Sequence, residues 1–217
     1  MQANFIIRAN SKKLIIVFSG WSVSPNIYKK ISSGEINLLV VHDYRNLNIE
    51  GDIFSNYEEI NVLGWSLGVW AASYYLSVNK HIKINKSIAL NGTNFPIDDE
   101  KGIPESIFLR TIETLNEQNL KKFHLRMCGD IRAYRDFAEL NLSQDINNLK
   151  EELLFVRDMQ KSKQKNTFSW QKAYIGKLDN IFPAKNQENS WCQKTKKIFL
   201  EIPHYDLTIL KNIINDL

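Results

Sequence analysis

The 217-residue sequence predicts an α/β fold: a mostly parallel, doubly wound sheet with an inserted helical lid. Three observations lead there. Short aliphatic runs recur along the chain, two of them ending in Ser-Gly or Asn-Gly, as strands buried on both faces do. The segments between them are long enough for the crossovers that parallel strands require. From about Phe95 to Lys165 the strand-like runs disappear and helical spacing takes over.

The first buried run is Lys13 to Phe18, closed by Ser19-Gly20, so a loop should open at its C-terminal end. Asn37 to Val41 and Ile60 to Leu63 are the next two, and Lys86 to Leu90 the fourth, ending at Asn91-Gly92. Between the third and fourth, Leu67 to Leu76 is rich in Ala, Trp, Tyr and Val without Pro, which suits a mostly buried helix. Strand, helix, strand is the βαβ pattern. In the insertion, Ile107, Leu109, Ile112 and Leu115 carry helical spacing. Strand signals return at Gln171 to Ile175 and Lys197 to Leu200, and Tyr205 to Leu217 reads as a closing helix. The expected organisation is a core of residues 1–94 and 166–217 with a lid at 95–165.

Composition narrows the function. Apolar residues at 43% and charged residues at 24% fit a folded globular chain and not a disordered one. The stretch Leu14 to Phe18 is far too short for a membrane span and lacks a following cleavage site, so a cytoplasmic location and no membrane partner are expected. A formal charge of +4 without a long basic run or RNA-binding motif argues against nucleic acid. Cys128 and Cys192 stand in no metal or redox spacing and are expected to be reduced packing residues. No histidine, cysteine or carboxylate pattern suggests a metal, and no glycine-rich phosphate loop suggests a nucleotide cofactor. Neither is expected, and a monomer is.

Gly64-Trp65-Ser66-Leu67-Gly68 matches GxSxG, and its context strengthens it, since it follows a predicted strand and opens a predicted helix. Such a turn tips the serine hydroxyl out of the sheet end and aims the next amide, that of Leu67, at a developing oxyanion. The predicted fold is then the α/β-hydrolase fold, with Ser66 as nucleophile. A serine needs a histidine base and an acid to orient it. Of four histidines, His204 lies just after the last predicted strand, where the chain order Ser, Asp, His places the base. His42, His81 and His124 lie elsewhere. Asp179, in the loop after the preceding strand, is the expected acid. Its rival Asp206 sits two residues from His204 and suits a helix N-cap better. The second oxyanion donor is expected from the backbone of Trp21, in the loop after the first buried strand.

Phe18-Ser19-Gly20-Trp21-Ser22, Val41-His42-Asp43-Tyr44, Gly64 to Trp70, Leu90-Asn91-Gly92-Thr93 and Met127-Cys128-Gly129 together resemble the BioG type of pimeloyl-[acyl-carrier protein] methyl ester esterase. The resemblance spans nearly the whole chain. It departs at Ser22 and Leu67, where Gly and Met are expected. It implies hydrolysis of the methyl cap from a pimeloyl chain held on acyl carrier protein, in biotin synthesis. It also implies Phe137 along the acyl channel, although an apolar residue there equally suits the core of the lid; Trp21 and Leu67, as the expected oxyanion donors, are the other expected substrate contacts. Lys121, Lys122, Arg126, Arg132 and Arg135, opposed only by Asp130, form a patch suited to docking an acidic carrier, or an ordinary solvated face. A generic short-chain carboxylesterase, a thioesterase and a non-catalytic hydrolase-fold binding protein remain alternatives.

Overall fold

The computed structural model describes residues 1–31, 36–142, 144–161 and 167–217. Among them, seven strands make one sheet: β1 (Gln2–Ile7), β2 (Lys13–Phe18), β3 (Asn37–His42), β4 (Glu59–Trp65), β5 (Lys86–Leu90), β6 (Lys172–Gly176) and β7 (Lys196–Leu200). Their order is β1-β3-β2-β4-β5-β6-β7. All neighbours are parallel except β1, which pairs antiparallel with β3. Leu14, Val17, Phe18 and Leu38 to Val41 are wholly buried, which is why these strands are continuous aliphatic runs and not alternating ones.

Three helices complete the core: α1 (Leu67–Val78), and later α6 (Ala184–Ser190) and α7 (Leu207–Asp216). Between β5 and β6 the chain inserts four more: α2 (Glu105–Glu113), α3 (Glu117–Cys128), α4 (Ile131–Leu140) and α5 (Ile146–Lys161). Local chemistry punctuates them. Asn116 caps α3 by accepting from the Asn119 amide, and α3 ends at Gly129, whose φ of 81° is left-handed. Asp130 then caps α4 through the amides of Arg132 and Ala133, and Asp145 accepts from the amides of Asn147 and Asn148 at the start of α5. Phe108, Ile112, Met127, Phe137, Leu153 and Val156 belong to the same apolar cluster as the sheet, so the insertion shares the core.

The sequence expectation differs from this in three places. The edge strand β1 was not anticipated: its Gln2 and Asn4 are exposed and break up its apolar residues, so it does not read as a buried run. The insertion therefore follows the fifth strand and not the fourth. Leu115 falls beyond the end of α2. The expected core boundary at 165/166 lies outside the described residues.

One backbone feature prepares the site. Ser22, Asp43, Ser66 and Asn91 have φ of 62°, 61°, 59° and 46°, and each lies just past the C-terminal end of β2, β3, β4 or β5. Non-glycine residues rarely adopt this conformation, so the chain is bent sharply at four neighbouring strand ends. In open parallel sheets this edge is where ligands bind.

Candidate active site

Ser66 sits between the last residue of β4 and the first of α1, with φ 59° and ψ −130°. The flanking glycines make that turn possible. A Cβ on Gly68 would lie 2.0 Å from the Phe18 carbonyl oxygen, and one on Gly64 would lie 2.8 Å from the Trp170 ring and the Val69 backbone. The Ser66 amide donates to the Leu90 carbonyl at 3.0 Å, fixing the turn to β5.

The structure brings Ser66, His204 and Asp179 together. His204 Nε2 is 2.9 Å from Ser66 Oγ, and His204 Nδ1 is 2.8 Å from Asp179 Oδ2. An ionised carboxylate only accepts, so Nδ1 carries the proton toward Asp179 and leaves Nε2 free to accept from the serine hydroxyl. Asp179, buried between β6 and α6, accepts three further hydrogen bonds, from the amides of Ile181 and Phe182 and from Gln187 Nε2 at 3.0 Å. The His204 ring stacks on Phe182 at 6.0 Å between centroids. Its backbone carbonyl accepts from the Trp65 indole at 3.0 Å and from Asn91 Nδ2 at 2.9 Å. Asp206 instead caps α7, accepting from the Ile209 amide, as the sequence reading preferred.

Trp21 and Leu67 both line the cavity that contains Ser66. Leu67 is the first residue of α1, where the opening amides of a helix have no intrahelical acceptor and carry its positive end. The Trp21 loop is held close: a Cβ on Gly20 would lie 3.3 Å from Ser66 Cβ. The cavity itself is small, about 40 Å³, and Ile103, Phe108 and Leu153 supply its apolar wall. Ile107, Thr111, Phe123 and Arg126 also line a second hollow of about 610 Å³ between α2 and α3, which carries Arg110 and Lys122. A narrow chamber at Ser66 thus adjoins a wide groove on the exposed face of the insertion.

Other expected residues fall in different places. Phe137 is not on the wall of the Ser66 cavity; it is buried edge-on against His124 and Tyr205, each 5.0 Å away between centroids, because the apolar side of α4 faces the core. Lys121, Lys122, Arg126, Arg132 and Arg135 are all exposed, with Lys122 and Arg126 in the groove and Arg132 and Arg135 on α4. Cys128 is buried, which pushes its thiol up to about 12, whereas Cys192 is exposed and is no packing residue.

The sequence reading missed several supporting groups. Asn91 bonds the carbonyls of Pro203 and His204 and accepts from the Gly176 amide, tying β5, β6 and the histidine loop together. The Trp65 indole holds the same loop. Gln187 and Arg110 gave no signal in spacing, since each reaches its place only through the tertiary fold.

Sheet order, elbow and hydrogen-bonded Ser66, His204 and Asp179 define an α/β-hydrolase. A family model described as pimeloyl-ACP methyl esterase BioG matches residues 1–211. The chain belongs to that BioG family. It superimposes on the crystal structure of BioG from Haemophilus influenzae with a TM-score of 0.88 and 30% identity, covering 96% of each chain. A protein of Bacteroides fragilis (strain 638R) named malonyl-[acyl-carrier protein] O-methyltransferase is 40% identical over 203 residues, which are 92% of this chain. The chain spans 41% of the length of that relative. A lipase-esterase related protein of Clostridium acetobutylicum shares the fold, with a TM-score of 0.64, 13% identity, and 99% and 96% of the two chains covered. Among the described residues no helix is long and apolar enough to cross a membrane.

Proposed function

We propose that this protein is a serine carboxylesterase that hydrolyses the methyl ester of pimeloyl-acyl carrier protein, releasing methanol and pimeloyl-acyl carrier protein for biotin synthesis. The observation that carries the chemistry is the continuous hydrogen-bonded chain Ser66, His204, Asp179, at 2.9 and 2.8 Å. His204 takes the Ser66 proton as Oγ attacks the ester carbonyl carbon, and Asp179 holds the imidazolium that forms. The amides of Trp21 and Leu67 stabilise the oxyanion. Collapse of the tetrahedral intermediate breaks the carbonyl carbon to methoxy oxygen bond, and His204 gives its proton to the departing methoxy oxygen, which leaves as methanol. A water molecule, deprotonated by His204, then releases the pimeloyl chain by the same steps in reverse order.

The substrate reading is supported by membership of the BioG family and by the shape of the site. A chamber of about 40 Å³ suits a small ester head and little else. The adjoining groove provides room for the chain and the carrier's prosthetic arm, with Arg110, Lys122 and Arg126 facing an acidic partner. Lys121, Arg132 and Arg135 extend the same positive face. The inserted helices act as the lid over Ser66, and all three triad groups come from one chain, so a monomer suffices. On this reading the enzyme is cytoplasmic, beside the carrier protein on which it acts.

Mass spectrometry of the carrier after reaction separates the candidate activities. The methyl esterase leaves pimeloyl still attached, lighter by one CH₂, and releases methanol. Recovery of the bare carrier arm would make the enzyme a thioesterase, and an unchanged carrier beside turnover of small soluble esters would make it a generic carboxylesterase.

A further inference from the structure

The loop that follows β2 is bonded to the insertion at Trp21, Ser22 and Ser24. The Trp21 indole Nε1 donates to the Leu149 carbonyl of α5 at 2.9 Å. Ser22 Oγ is 2.9 Å from His124 Nε2 of α3. Asn141, the residue that ends α4, donates through Nδ2 to the Ser22 carbonyl at 3.1 Å and accepts from the Ser24 amide at 2.6 Å. Three separate helices therefore hold three residues of the four-residue stretch 21–24, namely Trp21, Ser22 and Ser24, and that stretch includes the left-handed Ser22 with φ 62°.

A left-handed serine is a costly choice in a loop, and on its own would favour relaxation into another conformation. The bonds on both its side chain and its carbonyl oppose that relaxation. His124 is buried between Phe123 and Phe137, and desolvation lowers its pKa to about 4. It therefore stays neutral at ordinary pH, and the contact to Ser22 is a hydrogen bond between neutral groups that does not depend on pH in the working range.

We propose that His124 and Asn141, on the inserted helices, are positioning residues that fix the Trp21 amide for oxyanion binding by holding Ser22 and Ser24. This rests on the reading of Trp21 as an oxyanion donor. The insertion then does more than cover the substrate: seating its helices sets the geometry of half the oxyanion hole. The covalent steps remain those of Ser66, His204 and Asp179, and neither His124 nor Asn141 exchanges a proton with substrate.

Such a role has a signature that simple anchoring lacks. A misplaced oxyanion donor weakens the transition state and not the bound ester, so kcat falls while KM holds. Asn141→Ala and Ser22→Ala are each expected to lower kcat on a small soluble ester about tenfold, with KM within about twofold. The affinity of a trifluoromethyl ketone, which forms the tetrahedral oxyanion on the serine, should fall by a similar factor. His124→Ala should behave alike, and His124→Gln, whose amide reaches the place of Nε2, should recover most of the loss. Should His124→Ala fail to fold, Ser22→Ala and Asn141→Ala carry the test, because each removes a small polar group and its hydrogen bonds and no large packed ring. Folded variants with unchanged kcat and unchanged ketone affinity would overturn the proposal, as would a loss confined to KM. A wild-type enzyme that hydrolyses the ester yet ignores the ketone would overturn instead the reading of Trp21 on which it rests.

Discussion

The C-terminal edge of the sheet and the inserted helices divide the work of this molecule differently. At the sheet edge, Ser66, His204 and Asp179 are held by short bonds to backbone or to buried side chains: Asp179 alone accepts four. In the insertion, the residues that face solvent near the site, such as Ile107, Leu125 and Arg126, belong to amphipathic helices held mainly by their apolar sides. A bonded lattice gives fixed reacting geometry, while an amphipathic helix offers a surface that tolerates change. Damage to the sheet edge should therefore appear in kcat by orders of magnitude, and damage to the exposed insertion in KM or stability by much less.

The largest effect is expected at Ser66. Ser66→Ala should lower kcat by roughly five to six orders of magnitude while circular dichroism stays native. Turnover near wild type in a clean preparation would remove Ser66 as nucleophile. Asp179→Asn should cost about 10⁴ in kcat, because the amide favours the wrong histidine tautomer. If Asp206→Asn proved the more damaging of the two, the acid would have to be reassigned.

The next effect tests the seam between the regions. Glu152 of α5 is buried and accepts from the Tyr44 amide at 2.9 Å, and burial raises its carboxyl to about 7 from 4.5. The folded chain thus keeps a proton that the unfolded chain releases near pH 4.5. Stability from this group is fully present below that pH and is lost as pH rises through 7, by at most about 3 kcal/mol. Glu152→Gln keeps an acceptor for the Tyr44 amide, so the fall in Tm between pH 5 and 8 should flatten. An unaltered slope would show that Glu152 is ionised throughout.

Smaller still is the docking effect. Reversing Lys122 and Arg132 to Glu should raise KM for the carrier-bound ester about tenfold at low salt, less at high salt, and barely alter a small soluble ester, since neither side chain lines the Ser66 cavity. Equal losses on both substrates would mean damaged packing in the insertion. Asp206→Asn is expected to change little, because Asn is itself a good N-cap; a loss of more than about 1 kcal/mol in thermal unfolding would show that its charge matters at the α7 terminus.

The same contrast explains what could be read from the sequence. Lys13 to Phe18, Lys86 to Leu90 and the Gly64 to Gly68 elbow were legible because burial on both faces and a forced turn leave local marks. His204 and Asp179 were legible because parallel strands deliver their loops to one edge in chain order. Phe137 was not: its helix showed an apolar side, but nothing local says whether that side meets substrate or core. Asn91, His124 and Asn141 are polar residues whose partners lie far away in sequence, so only the folded chain pairs them. β1 escaped notice because an exposed edge strand needs no hydrophobic run.

Labelling with a fluorophosphonate tests the central claim most directly, since it requires the serine, its base and the oxyanion site at once. Peptide mapping should find the adduct on Ser66 in the wild-type protein, with methyl ester hydrolysis lost in step with labelling, and no adduct in Ser66→Ala. An adduct on another residue, or ester hydrolysis that survives complete labelling of Ser66, would contradict the account.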